Sequence, residues 1–475
     1  MSRWLAWWTR PEEALLIDVP WRELKEYCGI MAVYRRGQPA AELVHRGLFA
    51  LQHRGQEAAG IATWSPAGEL QHLRGRGLVV DALPIYQVKT LQGEMAIGHV
   101  RYSTVTMDRT ENIQPFVATT PYGRLAVAHN GNLKNADALR DALEARGALI
   151  STTMDTELIV HLLAQSGADS FADGLRAAAA RMVGAYSLTL LCDGRVYGVR
   201  DAHGVRPLVL GQLADGWALA SETCALDAIG ARYLREVEPG EMVEIGGDGV
   251  RSTRLLEPSR RAPCIFELVY FARPDSKVFS QSVHNARTHM GEQLALQDAA
   301  EGLPHRPDII VPIPDSGFPA AIGYARKSGI PLEKAIIRSH YIGRTFILPD
   351  QDSRSHSLHL KLSVIGEAVA GKKVLLVDDS IVRGNTSRLI VQMVRDAGAT
   401  EVWMRIASPP LAWPCYLGID TPDREELVIN QHRTVEGVER FIGADNLRYL
   451  SLDSLHAATG RGAFCTGCMN GDYPT

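Results

Sequence analysis

Two adjacent carboxylates, Asp378 and Asp379, end an apolar run in the string VLLVDDSIVRGNTS (374–387). The run reads as a buried strand, and Ser387–Ala397 as a helix. In open α/β sheets, ligands gather beyond the carboxyl ends of the strands. The loop Ser380–Asn385, with Arg383, Gly384 and Asn385, leads to a helix start near Thr386. Its unpaired N–H groups and partial positive charge suit a phosphate. Gly384 lets backbone approach a ligand, and Thr386 and Ser387 add hydroxyl donors. Two carboxylates alone would repel that anion, so they fit a sugar diol or a Mg²⁺ ion. An isolated Asp-Asp pair is most often a solvated turn; strand, acids, glycine loop and helix in this order argue for a site.

Cys28 opens a second apolar strand, CGIMAVY (28–34). A lone cysteine there is usually a small buried hydrophobe, yet as a thiolate it is a nucleophile. Polar strings at or near other strand ends favour chemistry: HRGQEAAGIA (53–62), GHVRYST (98–104), AHNGNL (128–133) and STTMDTE (151–157). FCTGC (464–468) pairs Cys465 with Cys468 at C-x-x-C spacing, and Cys264 and Cys415 are distant in sequence. Four thiolates hold either zinc or an iron–sulfur cluster, and spacing does not choose between them. Cys192 and Cys224 read as buried small residues.

These groups need scaffolds. The 475 residues suggest two or three domains. In the first half, strands are expected at Gly60–Trp64, Met95–Arg101, Leu125–His129, Tyr186–Cys192 and Val196–Arg200. Helices are expected over 40–53, Asn135–Gly147 with Asn135 as N-cap, Asp155–Ala164 and Phe171–Val183. The second half alternates: strand Ile309–Ile313, helix Phe318–Lys327, strand Lys373–Val377, helix Ser387–Ala397, strand Val402–Ile406. That order predicts a parallel sheet with crossover helices. The turn- and arginine-rich stretch 246–261 places a boundary near Glu257, giving domains 28–257 and 258–475.

Residues 1–27 carry Trp4, Trp7, Trp8 and Trp21, half of the eight tryptophans, and lack the apolar stretch of a signal peptide. With 50 Lys+Arg against 54 Asp+Glu the net charge is −4, which gives no reason to expect nucleic acid as a partner. No apolar run approaches the roughly 18 residues of a membrane span. Seven cysteines in a chain of this size indicate a reducing cytoplasm, not a disulfide scaffold.

The 374–387 string resembles the signature of type I phosphoribosyltransferases, which bind phosphoribosyl diphosphate. VPIPDSG (311–317) resembles their diphosphate loop, with Asp315, Ser316 and Gly317. The four polar strings resemble the N-terminal-nucleophile glutamine amidotransferases, whose mature chains begin with cysteine. The two halves together resemble the amidophosphoribosyltransferase family in its iron–sulfur branch. That resemblance implies a four-layer αββα (α+β) domain, then an α/β phosphoribosyltransferase domain with a parallel sheet. It implies a leader, 1–27, whose removal exposes the α-amino group of Cys28, a base near neutral pH. By the same resemblance Asn130 and the Gly131 N–H would form its oxyanion hole, and Arg101 and Asp155 would hold glutamine's carboxylate and ammonium. It likewise implies Ser316, Asp378 and Asp379 as the groups for Mg²⁺, and Arg344 and Thr345 in YIGRTFI (341–347) as contacts closing over the second substrate. Cys264, Cys415, Cys465 and Cys468 are the implied ligands of a [4Fe–4S] cluster.

The implied reaction joins ammonia from glutamine to C1 of phosphoribosyl diphosphate, giving 5-phosphoribosylamine, the first committed step of purine synthesis. Purine-nucleotide feedback and a homotetramer are implied partners. Some positions depart from the family pattern: Asn385 in the RGTTS loop, Val105 and Thr106 after RYST, and Arg338, Ser339 and His340 before the closing loop. Gln351 and Arg354 keep that loop's later polar positions. Two rival readings remain: a related amidotransferase with another acceptor, and a non-catalytic nucleotide or oxygen sensor.

Overall fold

The apolar string around Cys28 forms a strand buried on both faces, near the middle of a sheet. In this computed structural model, which describes residues 26–65, 67–103, 110–303, 305–339, 361–460 and 462–475, thirteen strands precede residue 255. They are β1 (Glu26–Arg35), β2 (Ala58–Trp64), β3 (Leu70–Arg76), β4 (Met95–Ser103), β5 (Phe116–Thr120), β6 (Gly123–Leu133), β7 (Gly184–Cys192), β8 (Arg195–Arg200), β9 (Val209–Leu213), β10 (Gly216–Ala220), β11 (Arg232–Glu236), β12 (Glu241–Gly246) and β13 (Gly249–Arg254). One sheet runs β11-β9-β10-β1-β4-β2-β3 and the other β13-β12-β8-β7-β6-β5.

Side chains alternate across a strand, which explains why the Cys28 string is apolar throughout. Ile30 and Ala32 meet Ala126, Ala128 and Leu191 of the opposite sheet. Met31 and Val33 face outward onto Val44 and Leu48 of the helix Ala41–Ala50. The second sheet's outer face, including Val127 and Leu188, is covered by the helices Ala136–Glu144, Asp155–Ala164 and Phe171–Ala179. The result is the expected αββα stack.

The sequence places the last of those helices' ends too late, at Val183. Asn135 is the cause. It occupies the N-cap position of Ala136–Glu144 but makes no capping bond. Its Nδ2 donates to the Arg181 carbonyl at 2.9 Å and its Oδ1 accepts from Val183 N–H at 3.0 Å. The clamp holds residues 181–183 out of the helix and leads them into β7.

A short hairpin, β14 (Lys277–Val278) and β15 (Gln281–Ser282), opens the second half. Strands β16 (Ile309–Pro312), β17 (Ile336–Arg338), β18 (Leu362–Val364), β19 (Lys373–Asp378), β20 (Glu401–Ile406) and β21 (Asn446–Tyr449) follow. The main sheet is parallel, in the order β16-β19-β20-β21; β17 and β18 pair separately. In β19, Leu375 and Val377 face the side of Met290 and Ala320, from the helices Val283–Glu301 and Phe318–Ser328. Val374 and Leu376 face Ile390 and Val394 on the other side. A parallel strand covered on both faces reads as a continuous apolar run, as VLLV does. The helix after β19 begins at Asn385, two residues before the expected start. Among the described residues no helix is long and apolar enough to cross a membrane.

Candidate functional site

Cys28 is 1% exposed and lies directly opposite Arg101 in the β1–β4 register. Strand β1 starts at Glu26, so Cys28 is an internal strand residue here, with its nitrogen in a peptide bond. Arg101 is also buried and is the register partner of Ala58 on its other side. A guanidinium at the end of a buried strand is a site for a carboxylate.

Asn130 and Gly131 lie on β6, opposite Ser187 and Tyr186. The Asn130 Nδ2 is buried and has no hydrogen-bond partner among the described residues. A buried orphan donor is costly unless a ligand uses it, which suits a group kept for developing negative charge. His99 of β4 bridges the two sheets, its Nε2 lying 3.1 Å from the His129 carbonyl.

The STTMDTE string folds on Glu157. That carboxylate accepts from the N–H and hydroxyl of Ser151, both at 2.9 Å, and from those of Thr152, both at 2.6 Å. Asp155 is thereby set as the first helical residue, reaching back to His129 Nδ1 and the Leu133 N–H, each at 3.0 Å. Burial alone would raise the Asp155 pKa; the His129 charge and these hydrogen bonds outweigh it and hold it low. Both oxygens already serve the protein, and each keeps a lone pair for a further donor.

Four charged residues without an assigned role in the sequence reading connect the two halves. Arg54 donates from Nε to the Cys28 carbonyl at 3.0 Å, pairs with Glu222, and places Nη2 2.7 Å from Glu267. Glu267 opens a π-helical turn, Glu267–Phe271, and also pairs with Arg206 at 3.3 Å. Glu222 further meets His53 at 2.7 Å and accepts from the Ser276 hydroxyl at 2.6 Å. Burial pushes the Glu222 pKa up, but His53 and Arg54 more than reverse this and hold it far below the usual range. The signal available in the sequence is charge beside apolar residues, as in FELVYF (266–271) and FALQHRG (49–55).

At the other centre, Asp378 and Asp379 are buried at the carboxyl end of β19, 9% and 5% exposed. Burial, then the Asp379 charge, pushes the Asp378 pKa well above the usual carboxylate range. The Ser380 hydroxyl donates to Asp379 at 2.5 Å. Gly384 precedes the helix at φ +78, and a Cβ there would lie 2.9 Å from Val428 Cγ2 and 3.0 Å from Phe441. Only glycine suits that corner. Ser387 is buried, while Asn385 and Thr386 are exposed at the helix start. Arg383 turns to Glu426, at 2.8 Å, instead of into the loop. Asp315, exposed beside Ser316 and Gly317, pairs with Arg338 at 2.7 Å.

Cys264, Cys415, Cys465 and Cys468 border one cavity, together with Val205, Leu411, Leu417 and Ile419. Cys264 and Cys465 are joined by a parallel bridge between their backbones. Burial pushes the Cys264 thiol up to about 11 and raises the Cys465 and Cys468 thiols as well. Among the described residues no three His, Cys, Asp or Glu side chains are gathered tightly enough for one metal ion. Cys192 and Cys224 are buried in the first half, as expected. Arg344, Thr345, Gln351, Arg354, His340, Val105, Thr106 and residues 1–25 lie outside the described residues.

The glutamine amidotransferase domain family matches residues 99–228, and the phosphoribosyl transferase domain family matches residues 285–407. The chain is 47% identical to amidophosphoribosyltransferase 1, chloroplastic, of Arabidopsis thaliana, covering 95% of this chain and 79% of that one. It is 45% identical to the amidophosphoribosyltransferase of Archaeoglobus fulgidus, covering 94% and 98%. Among solved structures, the Bacillus subtilis glutamine phosphoribosylpyrophosphate amidotransferase complexed with ADP and GMP superimposes with a TM-score of 0.87, at 42% identity over 94% of this chain and 97% of that one. With both domains matched in order and nearly the whole chain aligned, the chain belongs to the amidophosphoribosyltransferase family.

Proposed function

We propose that the chain makes 5-phosphoribosylamine from glutamine and phosphoribosyl diphosphate, releasing glutamate and diphosphate, as the first committed step of purine synthesis. The observation that carries this is the near full-length similarity to amidophosphoribosyltransferases, with a Cys28–Arg101 centre and an Asp378–Asp379 centre in one chain. Amidotransferases with other acceptors have no use for the second centre.

In the first half-reaction the Cys28 thiolate attacks the glutamine amide carbon. Arg101 holds the glutamine carboxylate and Asp155 its ammonium. Asn130 Nδ2 and the Gly131 N–H receive the negative charge that develops on the amide oxygen; such donors act most strongly where water is excluded. Ammonia leaves, and water cleaves the thioester to restore the thiol. The base is the α-amino group of Cys28, which exists only once the leader is cut before Cys28.

In the second half-reaction ammonia attacks C1 of the ribose and diphosphate departs. The helix start at Asn385–Ser387 and Gly384 cradle the 5-phosphate, and the Asp315–Gly317 loop receives the diphosphate. Asp378 and Asp379, with Ser316 toward the diphosphate, are the groups for Mg²⁺. Burial and then the Asp379 charge raise the Asp378 pKa, and a bound cation offsets both, which supports this. When bound, the ion neutralises charge on the leaving diphosphate. Arg344 and Thr345 are assigned to closure over the bound substrate.

We assign a [4Fe–4S] cluster to the four cysteines, as the family resemblance implies; they line one largely apolar cavity, which supports a shared group there. When bound, such a cluster would supply a redox-sensitive crosslink between the segments carrying Cys264, Cys415 and the C-terminal pair. A reducing cytoplasm suits such thiols. The nucleotides held by the Bacillus subtilis relative support purine-nucleotide feedback here, and a homotetramer is the assembly we assign. The test is stoichiometry: one glutamate and one diphosphate per glutamine and phosphoribosyl diphosphate consumed, dependent on Mg²⁺. Glutamate formation without diphosphate would refute the reading.

A further inference from the structure

A buried chain of polar contacts leads from the nucleophile, through the second half of the molecule, to the oxyanion glycine. Arg54 links the Cys28 carbonyl to Glu267, and Glu267 links to Arg206. Arg206 then places Nε and Nη2 on the Leu417 carbonyl, at 3.1 and 2.6 Å. The next residue, Gly418, lies against Gly131. At φ +89 it has no Cβ, and one placed there would sit 2.9 Å from the Gly131 carbonyl carbon, 3.1 Å from its oxygen and 3.2 Å from Arg206 Nη2. On the other side, a Cβ on Gly131 would lie 1.9 Å from the Ala185 carbonyl oxygen. Gly131 is therefore held on two sides, its Cα against the Ala185 carbonyl and its own carbonyl against Gly418. Asn132, the following residue, fastens the same segment by donating to the Tyr416 carbonyl at 3.0 Å.

We propose that Tyr416–Gly418, with Arg206 as its strut, is a positioning element for the glutaminase centre. The second domain fixes the carbonyl side of Gly131 and, through its Cα, the direction of the Gly131 N–H, so the oxyanion hole is complete only while the two domains are docked. A misplacement of about 1 Å at a reacting centre costs on the order of a hundredfold in rate, so a backbone stop of this kind controls turnover without touching substrate. The inference rests on Asn130 and Gly131 being the oxyanion donors.

The test compares Gly418→Ala, Arg206→Lys and Asn130→Ala in the full chain. Three quantities are read: glutamine-dependent synthesis, ammonia-dependent synthesis, and alkylation of Cys28 by a diazo-ketone analogue of glutamine against iodoacetamide. Gly418→Ala is expected to lower the glutamine-dependent kcat about tenfold or more, with the glutamine KM within about twofold. Arg206→Lys keeps the charge for Glu267 but loses the fork on Leu417, and is expected to do the same more weakly. Ammonia-dependent synthesis and iodoacetamide labelling should hold in both, while labelling by the glutamine analogue slows. Equal loss with glutamine and ammonia would mean a merely structural role and would overturn the proposal, as would unchanged glutamine rates in both variants. Arg206→Lys adds no atoms at the Gly131 contact, so the result stands even where Gly418→Ala does not fold. If Asn130→Ala kept the glutamine rate, the oxyanion assignment itself would fall. If Asn130→Ala lost it while the other two kept it, only the positioning claim would fall.

Discussion

Cys28 and Arg101 face each other as register partners on β1 and β4, and β1 begins two residues before Cys28. The nucleophile and the group assigned to its substrate's carboxylate are thus fixed by one backbone ladder. The same ladder shows Cys28 inside a continuous strand, where it has no α-amino group to act as base. Protein expressed from Met1 under anaerobic conditions is therefore expected, in native mass spectrometry, as a chain starting at Cys28 and carrying four iron and four sulfide. A metal-free chain still starting at Met1, yet active with glutamine, would contradict both the base and the cluster.

Asp378→Asn and Asp379→Asn remove charge from the pair without changing its shape. Synthesis should fall on the order of a hundredfold with either glutamine or ammonia as nitrogen source. Chelating Mg²⁺ should abolish synthesis in the parent enzyme. Steady-state diphosphate release checks both. An effect confined to glutamine would place the acids in the wrong half-reaction.

Arg338 holds Asp315, in the loop proposed for the diphosphate, at 2.7 Å, with both side chains partly exposed. An exposed pair of this kind contributes at most about 1 kcal/mol to folding. Arg338→Ala should leave the melting temperature nearly unchanged. It should raise the KM for phosphoribosyl diphosphate on the order of fivefold, because Asp315 then meets the diphosphate uncompensated. A changed melting temperature with an unchanged KM would reverse that assignment.

Burial, with the Arg101 charge next in size, holds His99 down to about 3. In the unfolded chain its pKa is about 6.5, so between these values the unfolded state binds more protons. Stability must fall as pH drops through that window. His99→Gln can keep the donor to the His129 carbonyl without the titration, so its melting temperature should fall less between pH 7 and pH 5. Parallel acid limbs in scanning calorimetry would exclude His99 as a source of the slope.

Local pattern carried the chemistry-bearing strings: VLLVDDSIVRGNTS and the Cys28 strand lie where their apolar runs and glycines put them. It failed where partners come from far along the chain. Asn135 reads as an N-cap because Asn caps helices, but Arg181 and Val183 claim its side chain. The ELVYF turn carries Glu267, whose partner Arg54 is 213 residues away, so nothing local marks it as an ion pair. Strand β21, NLRY, has only two buried residues, too weak a period to separate it from loop.

On the proposed mechanism Cys28 releases ammonia from glutamine for use at a second centre in the same chain. Cys28→Ala, measured for diphosphate release with glutamine and then with ammonia, tests it most directly. The variant is expected to lose the glutamine-dependent reaction and to keep the ammonia-dependent one. A variant that still used glutamine at the parent rate would contradict the account.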